Sequence, residues 1–314
     1  MDRRMVSWLV LAAACVLAGV PAGCRKDEKK RTGKPRIALI MKSLANEFFK
    51  TMEDGARAHQ KGHSSQYDLI CNGIKNEQDV AKQVDLVEQM IAQEVDAIVI
   101  APADSKALVP VCRKAQRAGI IVVNIDNKFD SEVMAKENVR IPFVGPDNRR
   151  GARMAGEHLA ARLNKGDKVA IVEGAPNAYN GIQRKLGFED AMKAAGMEVV
   201  SSQTGRWESG PAEKVVAGMI TQHPDLKAIL CANDNMALGA MAALKSAGKG
   251  DQVLVIGYDN ISAVQKLMAE GKVLCTIDQH ADRIAVYGIE FALTALGVTD
   301  KETPVNLITA GTGK

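Results

Sequence analysis

Aromatic residues are scarce in this sequence, 4% of the total with only two tryptophans, and its five histidines (His59, His63, His158, His223, His280) are scattered. Only His59 and His63 stand four apart, and His63 falls beyond the helix expected at 48–59, so no metal pair at i, i+4 on a helix is expected. Cysteine is sparse as well. Beyond Cys24 there are Cys71, Cys112, Cys231 and Cys275, without CxxC or Cys/His ligand spacing. Three sit in apolar strand-like runs and one in a helical run, which favours buried free thiols, with a disulfide as the alternative in an exported chain. No glycine-rich phosphate fingerprint follows a strand: Gly151 and Gly156, like Gly181 and Gly187, have neither the G-x-G-x-x-G spacing nor a P-loop lysine. Serine or cysteine beside a readable His/Asp partner is missing as a set. No cofactor is therefore expected, and nothing argues for an enzyme. A strong charge of one sign is also lacking. The net charge of +4 owes much to Arg25, Lys26, Lys29, Lys30, Arg31 and Lys34, and without them no basic balance suggests nucleic acid.

What is present is length for two domains, 314 residues. Arg3 and Arg4 precede an apolar run at 8–20, followed by Pro21-Ala22-Gly23-Cys24. This reads as an export signal over 1–24, because the run is too short to span a bilayer comfortably. The small residues before Cys24 resemble a bacterial lipoprotein cleavage box, which makes Cys24 the expected lipidated residue. Residues 25–35 then form a polar, basic tether with nothing to bury.

From residue 36 onward apolar runs alternate with amphipathic ones. Strands are expected at 36–41, 67–71, 96–101, 120–125 and 142–145, then again at 169–173, 198–202, 226–231, 253–257 and 273–277. Helices are expected between them, among them 48–59, a stretch opened by Asp104 and Ser105, 181–195, 212–222, 236–247 and 261–270, with a last one at 281–296. The fold class that follows is α/β: two similar doubly wound parallel-sheet lobes with a ligand cleft between their strand ends. Residues 36–145 plus 280–305 would form the first lobe and 146–279 plus 306–314 the second. The crossings near Pro146, Gln279 and Asn306 would make a three-segment hinge.

Polar forks collect at the strand ends. The stretch at 227–248 is the clearest, an apolar strand followed by Asn233, Asp234 and Asn235 and then a helix. One such residue caps the helix and two are left over. Asn46, Asp126, Arg184, Asn233, Asp259 and Gln279 offer bidentate hydrogen-bond groups, while Phe48, Phe49, Trp207 and Tyr258 stand beside turns. A polyhydroxylated ligand needs both, since each hydroxyl donates and accepts and the C–H faces of a sugar ring stack on aromatics.

Together PRIALIMKSLANEFF, VVNIDNK, CANDNMALGA, VIGYDN and CTIDQ resemble segments of the periplasmic monosaccharide-binding proteins of the ribose and allose type. The likeness runs from about residue 35 to about residue 308. It implies lobes that close over one sugar and present it to an ABC transporter permease, with a chemoreceptor as a possible further partner and a membrane only through the lipid anchor. By position it implies Lys42, Asn46, Asp126, Asn127, Arg184, Asn233, Asp259 and Gln279 as polar ligands, and Phe48, Phe49, Trp207 and Tyr258 as the aromatic sandwich. Lys42, Ala101 and Asn127 depart from the ribose pattern, Lys42 toward the allose type. A sensor outside transport, or a nucleoside or AI-2-like ligand in the same fold, is the alternative reading.

Overall fold

The structure, a computed structural model, describes residues 33–299 and 311–312. The expected signal, most of the expected tether, Cys24 and Asn306 lie outside them.

The first set of elements is β1 (Arg36–Ser43), α1 (Glu47–Gly62), β2 (Asp68–Ile74), α2 (Val80–Ala92), β3 (Ala97–Ile100), α3 (Val109–Arg117), β4 (Ile121–Ile125), α4 (Ser131–Lys136) and β5 (Phe143–Val144). The second is α5 (Asn148–Ala160), β6 (Lys168–Glu173), α6 (Tyr179–Ala195), β7 (Glu198–Thr204), α7 (Ser209–Gln222), β8 (Ala228–Cys231), α8 (Asp234–Ser246), β9 (Leu254–Ile256), α9 (Ser262–Ala269) and β10 (Ile277–Asp278). After these come α10 (Ala281–Ala295) and β11 (Gly311–Thr312). The sheets run β2-β1-β3-β4-β5 and β7-β6-β8-β9, every neighbour parallel.

Strands buried on both faces read as unbroken apolar runs, and β1 shows why. Ile37, Leu39 and Met41 pack in one core with Phe48 and Met52 of α1 and Ile284 and Ile289 of α10. Ala38 and Ile40 point the other way, into a second core with Val87 and Met90 of α2 and Cys112 of α3. Each such aliphatic side chain stabilises the fold by roughly 1.5–3 kcal/mol relative to exposure.

Although α10 follows the second sheet in sequence, it packs against α1, β3 and β4 of the first. Two glycines allow it. A Cβ at Gly55 would lie 2.4 Å from the carbonyl oxygen of Asp282, and one at Gly288 would lie 2.7 Å from Ile125.

Four details differ from the sequence expectation. The strand at 273–277 shrinks to a bridge between Cys275 and Ile256 and a two-residue β10, which pairs antiparallel with β11. The helix after Asp104 begins later, at Val109, because the Asp104 carboxylate accepts from the N–H groups of Lys106 and Ala107 and holds a turn. The short α4, capped by Asp130, has no periodic pattern long enough to read. The end of the tether is tied down: Lys34 Nζ lies 2.8 Å from Asp68, and the Pro35 carbonyl accepts from the Asp68 N–H. The four cysteines are free, with Cys112, Cys231 and Cys275 buried.

Candidate ligand-binding site

The carboxyl ends of both sheets face a small cavity. Its first half comes from β1, the start of α1 and the loops after β2 and β4. Lys42 Nζ lies 3.2 Å from Asp126 Oδ2 and 3.9 Å from Glu77 Oε2. Asn46 Nδ2 donates to Glu77 Oε1 at 3.2 Å, while Asn46 Oδ1 accepts from the Phe48 N–H and caps α1. Phe48 and Phe49 meet edge to face, centroids 5.1 Å apart. The Lys42 ammonium sits 5.4 Å from the Phe49 ring and 5.6 Å from the Trp207 ring, within cation–π range.

The second half is built around Arg184 of α6. Its Nε donates to Asn148 Oδ1 at 2.8 Å, Nη1 to the Ala232 carbonyl at 2.8 Å and Nη2 to Gln279 Oε1 at 3.0 Å. Asp259 Oδ1 is 3.5 Å from Nη1 and accepts from Gln279 Nε2 at 2.6 Å. The guanidinium stacks 3.8 Å over the Tyr258 ring. Asn233 both caps α8, through the Met236 N–H, and donates to the Trp207 carbonyl.

Asp126 and Asp259 occupy equivalent places, each just after the fourth strand of its set. Both have positive φ, 61° and 125°, and so does Trp207, at 70°. Such backbone costs on the order of 1–3 kcal/mol per residue and collects at functional sites. Trp207 is seated on glycine: a Cβ at Gly174 would fall 2.2 Å from its ring. Two buried polar atoms in this cavity wall, Asp126 Oδ2 and Trp207 Nε1, have no hydrogen-bond partner. The first is in ion-pair range of Lys42 but not aligned as a hydrogen bond.

Burial pushes the Glu77 carboxyl up to about 7, with Lys42 and Asn46 opposing and Asp126 and Glu208 adding. Burial also holds Asp259 well above the usual carboxylate range, against the pull of Arg184.

The cavity gathers all six polar forks expected from sequence (Asn46, Asp126, Arg184, Asn233, Asp259, Gln279), together with Lys42, Phe48, Phe49 and Trp207. Two expected residues are placed elsewhere. Tyr258 lies behind Arg184 as its platform, and Asn127 is committed to Pro102, Ser105 and the Asn180 N–H. Glu77 and Asn180 line the cavity and escaped the sequence reading. Of the Asn233-Asp234-Asn235 run only Asn233 faces it. Asp234 is structural, accepting from the Ile261 N–H and Thr276 Oγ1.

Around the rim the two sets of elements touch. Helices α6 and α9 have no side-chain cap from their own N-cap residues. Instead Ser105 Oγ accepts from the Tyr179 N–H and Asn127 Oδ1 from the Asn180 N–H, while Glu47 accepts from the N–H and hydroxyl of Ser262. Arg206 donates to Gln78, and the Glu77 N–H to Glu208 Oε1.

Two parallel sheets meeting at their carboxyl ends around charged and aromatic side chains define a two-lobed binding protein. The chain belongs to the periplasmic binding protein domain family, whose model matches residues 37–300. It is 52% identical to the D-ribose/D-allose-binding protein of Pseudomonas aeruginosa, over 98% of each chain. An ABC transporter solute-binding protein of Burkholderia multivorans shares 55% identity with a TM-score of 0.85, covering 89% of this chain and 98% of that one. An Actinobacillus succinogenes counterpart with bound D-allose shares 37% identity with a TM-score of 0.81, covering 88% and 96%. Among the described residues no helix is long and apolar enough to cross a membrane.

Proposed function

We propose that this protein is the solute-binding component of an ABC sugar importer and takes one neutral monosaccharide, a ribose- or allose-like aldose or related polyol, between its lobes. The observation that carries the reading is the cavity wall itself: paired forks from both lobes, aromatic faces, Trp207 Nε1 without an acceptor, and Asp126 Oδ2 with no hydrogen bond beside its ion pair to Lys42. Buried polar atoms without partners are costly, and a sugar hydroxyl satisfies an acceptor and a donor alike. The charges of Lys42 and Arg184 are met by acids within the wall, so a neutral ligand fits better than an anion. Lys42, Asn46, Asp126, Arg184, Asn233, Asp259 and Gln279 would bind hydroxyls, and Phe48, Phe49 and Trp207 the ring faces.

In this reading the lobes comprise residues 36–145 with 280–305 and residues 146–279 with 306–314. They bend at Pro146, Gln279 and Asn306, and the protein is exported, anchored through Cys24 and docked to a permease. Calorimetry over pentoses, hexoses and polyols is expected to find a saturable ligand that is recovered unchanged, and mass spectrometry of co-purifying material identifies it. A panel without a binder, beside tight binding of a nucleoside or peptide, overturns the reading. X-ray scattering is expected to give a smaller radius of gyration with ligand than without.

A further inference from the structure

The buried acids of the cavity outnumber its cations. Lys42 and Arg184 face Asp126, Asp259 and Glu77, and a neutral ligand adds no charge to balance the third acid. Arg184 is taken by Asp259 and its neutral partners, and Lys42 is closer to Asp126 than to Glu77, 3.2 Å against 3.9 Å. By distance Glu77 is thus the acid farthest from a cation, although Asp259 too is held above the usual carboxylate range by burial. Glu77 is also the one that touches the lobe seam. Its N–H donates to Glu208 Oε1 at 3.3 Å, so closure carries a second carboxylate from the opposite lobe toward it.

We propose that Glu77 is a positioning residue for Lys42 that carries a proton in the closed protein, so that capture of the ligand takes up that proton. The proposal rests on the sugar-binding reading above. As a neutral acid Glu77 still accepts from Asn46 Nδ2 and leaves the Lys42 ammonium to Asp126 and the ligand. As an anion it draws Lys42 away from Asp126 and meets Glu208 across the seam. The charged and titratable groups around it are Lys42 from β1, Asp126 after β4 and Glu208 before α7, with Arg206 held on the adjacent Gln78 and Lys75 and Asp79 on its own loop. Desolvation supports the same direction, since burial raises Glu77 to about 7 in the closed form. Opening the cleft returns water to the carboxyl and lets it fall toward the ordinary glutamate range, about 4.3.

The sign follows from linkage. The closed-state value is the raised one, so the advantage of closure is full below the open-state value and is lost as pH rises to about 7.

The test is calorimetry with D-allose in two buffers of different protonation enthalpy, at about pH 6 and then across about pH 5 to 8, on the wild type, Glu77→Gln and Glu208→Gln. Wild-type affinity is expected to fall at least about tenfold across that range, and binding at about pH 6 to take up nearly one proton more than in Glu77→Gln. Glu77→Gln should lose the corresponding part of the pH dependence, while any uptake by Asp259 survives. Glu208→Gln, outside the cavity, removes a charge that raises Glu77, so it should shift the wild-type profile toward lower pH and reduce the total fall, and it carries the test if Glu77→Gln fails to fold. Equal proton uptake in wild type and Glu77→Gln, or an unshifted profile in Glu208→Gln, overturns the proposal alone. No binding of D-allose by the wild type overturns it together with the sugar reading for that ligand, and the panel then decides whether another sugar is bound.

Discussion

The two halves of the cavity hold the same kind of pair in different states of completion. Arg184 has a partner for each of its three nitrogens and an aromatic ring beneath it, all from the second set of elements and the crossing at Gln279. Lys42 rests between two acids, and the acid nearer to it keeps an oxygen without a hydrogen bond. One half has its hydrogen bonds met by its own elements; the other keeps a buried oxygen without one. Preorganised donors bind without further ordering cost, whereas an ammonium on a flexible stem can follow the hydroxyl it meets.

Removing the cation from each half should break this contrast if it is mistaken. Arg184→Ala leaves Asp259, Gln279 and Asn148 without their common partner. It is expected to abolish measurable sugar binding and to cost the unliganded protein on the order of 3 kcal/mol, read by denaturant unfolding. Lys42→Met should weaken binding about 10- to 100-fold, roughly 1–3 kcal/mol, with a clearly smaller loss of unliganded stability. Equal stability losses in the two variants would mean that the halves are alike.

Trp207 tests the boundary between the halves, because both cations lie near its ring, Lys42 at 5.6 Å and Arg184 at 5.4 Å. Only Trp8 and Trp207 occur in the sequence, so a mature chain lacking the signal carries a single indole. Its emission is expected to change on sugar binding. Trp207→Phe should keep the ring contact, forfeit the hydrogen bond that Nε1 would give a sugar hydroxyl, about 1 kcal/mol, and remove the optical signal. Trp207→Ala should lose more affinity than Trp207→Phe. Unchanged affinity in Trp207→Ala would separate the ring from the ligand.

The smallest effect is expected at the rim. Glu47→Ala removes the cap that the first lobe lends to α9, and an N-cap is worth about 0.5–2 kcal/mol. Since the contact joins the lobes, the loss should appear as faster sugar dissociation in stopped flow, with little change in association. An unaltered dissociation rate would make Glu47 an ordinary surface acid.

These contrasts were only partly legible in the sequence. The alternation of apolar runs marked the strands and both sheets because buried parallel strands need unbroken apolar residues. The forks were legible because they stand where strands end. Which of two neighbours faces inward was not. Asp126 and Asn127 are adjacent, as are Tyr258 and Asp259, and successive residues leaving a strand point to opposite sides. In each pair the aspartate lines the cavity and its neighbour lies behind it. Glu77 was hidden for another reason: it sits in the charged run KNEQD, which reads as a solvated loop until the fold buries it to 3% exposure. The three trans contacts to the first turns of α6 and α9 have no sequence signature, since donor and acceptor lie more than fifty residues apart.

The return of α10 to the first sheet bears on the order in which the molecule can be assembled. A chain delivered from its N-terminus exposes Leu39, Val99 and Ile125 early, yet the helix packed in the same core starts only at Ala281. The first sheet therefore stays open on one face while the whole second set of elements arrives, and an early stall presents its apolar strands to other chains. Truncating the protein before α10 should yield an insoluble first lobe rather than a half-active one, and the second lobe is the part able to fold while the first waits.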